Sequence, residues 1–72
     1  YRDVAKISQL IKMALRDVCD TGSLSYAQRE SLDMMASKMA RIVSGDPDNI
    51  DHWLDIEGYA RLVRNILERG ND

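Results

Sequence analysis

The sequence predicts an all-α fold, a three-helix bundle assembled as a homo-oligomer. Apolar residues recur at spacings of three and four in three separate segments of roughly 18 residues, the signature of amphipathic helices. Start and stop residues punctuate those segments, and no stretch alternates apolar and polar as a half-buried strand would. The expected helices cover residues 2–19, 26–44 and 50–69 of a single domain spanning 1–72.

The first helix carries Val4, Ile7, Ile11, Ala14 and Val18 on one stripe, joined by Leu10 and Leu15. It ends in Asp20-Thr21-Gly22-Ser23, where Gly22 can take a left-handed conformation. Ser25-x-x-Gln28 then reads as a capping box, each side chain satisfying an orphan backbone donor of the other. Leu32, Met35, Met39, Ile42 and Val43 form the apolar face of the second helix, flanked by Ala36 and Ala40. Gly45 stops it and Asp46-Pro47-Asp48-Asn49 turns the chain, since a proline disfavours helix at the residue before it. Asn49 or Asp51 caps the third helix, and Gly70 lies just past its end. Its apolar set of Trp53, Ile56, Tyr59, Ala60, Leu62, Val63, Ile66 and Leu67 covers about half the circumference at 100° per residue. One partner helix needs less than that. The third helix is therefore expected to pack against both others or against a second chain.

Composition narrows the function classes. Hydrophobic residues at 44% and charged residues at 31% exclude a disordered tail, and 72 residues leave no room for a second domain. A net charge of −2 brings no bulk attraction to nucleic acid or to an anionic membrane. No apolar run approaches the roughly 20 residues that span a bilayer, and nothing resembles a signal peptide. The first residue is Tyr1, as in a trimmed or processed product. The lone Cys19 suits a reducing compartment, so a cytoplasmic setting is expected. A chain this short buries only about 60% of its unfolded surface, which favours self-association.

Asp55 is the residue that fits its position least. It falls at the border of the apolar face of the third helix, near Tyr59, Leu62 and Ile66, and a buried carboxylate must be paired. Lys38 and Arg41, one turn apart on the second helix, can reach it if the two helices are antiparallel neighbours. Two readings follow. Lys38, Arg41, Asp55 and Tyr59 form either a structural ion pair at an interhelical boundary or a site where a basic pair meets phosphate or another anion. A third chemistry would use Glu30 and Asp33 on the second helix with Asp51 and Asp55 on the third to hold Mg²⁺ through oxygen ligands, as all-α nucleotide pyrophosphatases do. The denser Glu-Glu-x-x-Glu run of those enzymes is missing, and Asp51 is explained more simply as a helix cap. No metal or other cofactor is therefore expected.

Other features have bland explanations. Gly58 inside a helix costs about 1 kcal/mol relative to Ala, a cost that close approach to a backbone beside Ala36 or Ala40 would justify. Trp53 should cover the end of the core and bond through its indole N–H, or anchor an interface if exposed. A single His52 supports neither a zinc site nor a catalytic triad. Arg2, Lys6, Gln9, Lys12 and Arg16 make a basic strip on the first helix, flanked by acids and read as a solvated face. Met34 points away from the Met35–Met39 stripe, as an adaptable contact residue would.

Lys38-Met39-Ala40-Arg41-Ile42, a Pro-containing turn, and Asp51-His52-Trp53-Leu54-Asp55-Ile56-Glu57-Gly58-Tyr59-Ala60 resemble a family of small phage and prophage proteins without established activity. The resemblance covers roughly residues 25–64. Asp33, Ser37 and Glu57 depart from its pattern, and the first helix matches only in type. It implies a phage origin and a host-cell cytoplasmic setting. The function expected from all this is non-catalytic: an accessory protein that binds a host or phage protein, such as a defence factor. Trp53, Met34, Ile56, Val63 and Leu67 are its expected interface. The alternative is a nucleotide-binding or Mg²⁺-dependent nucleotide-hydrolysing helical oligomer.

Overall fold

A computed structural model describes residues 2–17 and 22–70. It contains α1 (Arg2–Asp17), α2 (Tyr26–Ser44) and α3 (Ile50–Arg69), with no strand among the described residues. Val18, Cys19, Asp20 and Thr21, where the first helix and its turn were expected to end, lie outside the described residues.

The local signals produce the expected boundaries. At the start of α2 the Gln28 N–H donates to Ser25 Oγ at 3.1 Å, and the Ser25 N–H donates to Gln28 Oε1 at 2.9 Å. This reciprocal pair is the capping box. The helix ends where the Gly45 N–H reaches the Arg41 carbonyl, and the Asp46 carboxylate accepts from the Asp48 N–H to close the turn. Asn49 caps α3 by accepting from the Asp51 N–H at 3.0 Å, so Asp51 is a first-turn residue and not the cap. Its charge there complements the positive end of the helix dipole. Gly70 ends α3 in the left-handed region at φ 72°, which a glycine adopts without a Cβ penalty.

The three-helix bundle is opened into a single layer. α2 packs against α1 on one side and α3 on the other, while α1 and α3 do not touch. Ser8 meets Ser37 while Val4 shares a cleft with Ser44, and Lys38 meets Asp55 while Leu32 and Met35 share a groove with Ala60 and Val63, so both neighbours run antiparallel to α2. The Cα envelope measures 39 × 29 × 12 Å. Two stacked helices would need about 13–15 Å of Cα thickness, so the 12 Å extent leaves room for one layer of helices lying side by side. The radius of gyration of 13.1 Å exceeds the roughly 11 Å of a compact chain this long.

The layer explains a redistribution of the expected core. A central helix needs two contact lines on opposite sides, and one apolar stripe cannot supply both. On α2 the buried residues are Ser31, Ala36, Ala40 and Ile42, small groups for the most part that let the neighbours come close. On α1 it is Ser8 that is buried, its hydroxyl 3.3 Å from that of Ser37. Met39 and Val43, expected in the core stripe, are exposed instead, and α3 has no buried residue at all. The broad apolar surface of α3 meets α2 alone, so its packing against both other helices is not realised.

Candidate functional site

The layer has two faces, and the 100° step of a helix assigns residues to each. An open groove of about 310 Å³ between α2 and α3 fixes the assignment, because Leu32 and Met35 line it together with Ala60 and Val63. On the same side, α2 carries Met39 and Val43, while α3 carries Trp53, Ile56 and Leu67. The Ser8–Ser37 contact sits toward the opposite side, which turns Ile7, Ile11 and Ala14 of α1 toward the groove side as well. One face is therefore apolar across all three helices. Met34, Lys38, Arg41, Gly58 and Leu62 belong to the other face, which is mixed in character.

Trp53 is 54% exposed and does not cover a core, but its expected hydrogen bond exists: the indole N–H donates to the Pro47 carbonyl at 2.8 Å. That bond holds a large aromatic surface rigidly against the turn before α3, a preorganised anchor of the kind that dominates interfaces. Leu67 is exposed, and Ile56 and Val63 are half-buried on the same face of α3. Met34 points away from the Met35–Met39 stripe as expected, onto the opposite face, but it is half-buried rather than exposed. The adaptable methionine on the apolar face is Met39, 46% exposed. It was overlooked because a five-residue apolar stripe reads as core. The available signal was the row of small residues beside that stripe, Ala36 and Ala40, which provide a contact line of their own.

On the mixed face, Lys38 Nζ lies 2.8 Å from Asp55 Oδ2. The lysine side chain is only 16% exposed, and the carboxylate, expected buried, is 45% exposed. The carboxylate caps a largely buried ammonium that would otherwise be unpaired, and it links α2 to α3. Arg41 does not join this pair. It lies exposed at a cleft of about 170 Å³ with Val4, Ser44, Gly45, Asp46 and His52, at the end where α2 stops and α3 begins. Tyr59 is half-buried one turn beyond Asp55. The four residues expected to share a site are thus split between a closed ion pair and a cleft edge. Ser44 Oγ and His52 Nδ1 are buried without a hydrogen-bond partner, and both atoms are shut off from solvent.

The acidic residues do not converge. Antiparallel pairing puts Glu30 and Asp33 beside the C-terminal half of α3, whereas Asp51 lies at its N-terminus. Among the described residues no group of three or more His, Cys, Asp or Glu is placed to hold a metal ion. Gly58 has no close neighbour either. A Cβ added there would meet nothing within 4 Å, so approach to the backbone of Ala36 or Ala40 is not its purpose. Among the described residues no helix is long and apolar enough to cross a membrane. Compared with known proteins, the chain matches no family model, and no curated protein or solved structure matches it at a significant level.

Proposed function

We propose that this chain works by protein–protein contact through the apolar face of its helical layer, without catalysing a reaction. The observation that carries the reading is the exposure of large apolar side chains on one side of α2 and α3, at Met39, Val43, Trp53 and Leu67, continued across α1 by Ile7 and Ile11. Scattered surface apolar residues need no explanation, but a contiguous apolar face rimmed by charge marks an interaction surface. Glu57 and Arg64 border it along α3. The resemblance of residues 25–64 to small phage proteins directs the search for a partner to bacterial host and phage proteins of the cytoplasm.

The competing reading, a nucleotide or anion site at Lys38 and Arg41, has less support, because Lys38 is already neutralised by Asp55. One pair of experiments separates them. Affinity capture from bacterial lysate supplemented with a differently tagged copy of the chain should enrich a protein, host-derived or that copy, with the parent chain and lose it with Leu67→Glu, both chains remaining helical by circular dichroism. Thermal melting against nucleotides with Mg²⁺ should stay flat. A ligand present at about 100 times its Kd would add roughly 2.7 kcal/mol of stability. A nucleotide-dependent shift abolished by Lys38→Ala would overturn the interaction reading.

A further inference from the structure

We infer that the occupant of the apolar face is a second copy of this chain, giving a two-layer, six-helix homodimer in which the apolar faces of two layers meet. The inference rests on the reading that this face is a protein contact surface and names its partner. Area is the first argument. The chain exposes 5362 Å², whereas a folded monomer of 8.2 kDa exposes about 4,500 Å². The excess of about 800 Å² equals what each partner buries in a standard-size protein interface, about 800 Å².

The second argument is the missing core. A stable domain needs two packed layers around one hydrophobic core, and this chain supplies one layer. Among the described residues the buried apolar ones are Ala36, Ala40 and Ile42, and no large side chain is fully buried. A second identical layer furnishes the missing half without any further component. The third argument is symmetry. A two-fold axis lying between the two layers and running along α2, the helix flanked on both sides, brings Met35 and Met39 against their own copies. Methionines can adjust to such a self-contact because their side chains are unbranched and flexible. Trp53 and Leu67, on α3 at the edge of the layer, then reach across toward the partner layer.

Sedimentation equilibrium on the full chain across micromolar concentrations tests the proposal. The expected mass is twice that of the chain. Val43→Glu, which places a charge on the face, should raise the dimer dissociation constant at least about 100-fold. Leu62→Glu, an equally exposed apolar position on the other face, should leave the mass unchanged. Should Val43→Glu fail to fold, cross-linking keeps the proposal falsifiable. In a Cys19→Ser background, oxidation should join Met39→Cys chains into a covalent dimer and leave Leu62→Cys chains single. A helical chain of monomer mass at every concentration overturns the dimer, as does cross-linking at Leu62→Cys in preference to Met39→Cys. A monomer that captures a different protein, with capture lost in Leu67→Glu, overturns self-association alone. A monomer with no such capture overturns the interaction reading too.

Discussion

The seams between neighbouring helices and the open apolar face divide the side chains of this protein by size. The seams hold Ser8, Ser31, Ala36 and Ala40, all nearly free of solvent, with Ile42 as the large exception among the buried described residues, and a lysine neutralised by an aspartate. The face holds Met39, Val43, Trp53 and Leu67, each about half exposed or more. In a closed bundle the large side chains would fill the centre and the small ones would sit at the margins. The reversal shows that contact within the chain is close and shallow, and that it leaves the bulky apolar groups of the face uncovered. Small residues also allow a seam to close with little area, which is why the layer can form while its core stays incomplete.

The contrast is broken most severely at the seam. Ala40 is completely buried, and Ala40→Leu should overpack the contact of α2 with its neighbour. Overpacking costs about 1–3 kcal/mol, so a fall of about 3 kcal/mol in urea unfolding is expected. A loss under about 0.5 kcal/mol would mean that the seam is looser than its burial indicates. Next in size is Ser25→Ala, which removes half of the capping box and should cost about 1 kcal/mol by the same measurement. Unlike Ala40→Leu, it should leave the helix content of the folded chain unchanged by circular dichroism.

Asp55→Asn tests the polar part of the α2–α3 seam. The pair is partly exposed, so the expected loss is about 1 kcal/mol, read from the thermal midpoint. Lys38→Met in the Asp55→Asn background should recover most of it, because an uncharged side chain needs no counter-charge. If the double variant is as unstable as the single one, the lysine has a second role. The smallest effect sharpens the contrast from outside both regions. Gly58 faces open space inside α3, and Gly58→Ala should stabilise the chain by about 0.5–1 kcal/mol through lower unfolded-state entropy. Destabilisation instead would reveal a partner backbone against that position.

Much of the fold was legible in the chain because its signals are local. Ser25 and Gln28 form their box across three residues, Asn49 caps α3 within two, and Gly70 needs only its own backbone freedom. Helical periodicity narrowed the partner of Asp55 to Lys38 or Arg41 on an antiparallel neighbour, and the register of the two helices chose Lys38. Arg41 could not be placed the same way. One turn further along α2, it reaches the end of the layer, and only the position of the turn at residues 45–49 sends it to a cleft instead of to Asp55.

What the sequence by itself determined is the existence, the ends and the amphipathic character of three helices, since caps, breakers and a 3.6-residue period act over one or two turns. What only the tertiary structure decided is the arrangement of those helices as an open layer. That choice depends on which of several faces of α2 its neighbours take, and the same apolar stripe is compatible with a closed core or an exposed face. Close packing at Ala36 and Ala40 drew α1 onto the small flank, left Met39 and Val43 uncovered, and so turned a predicted core into a surface.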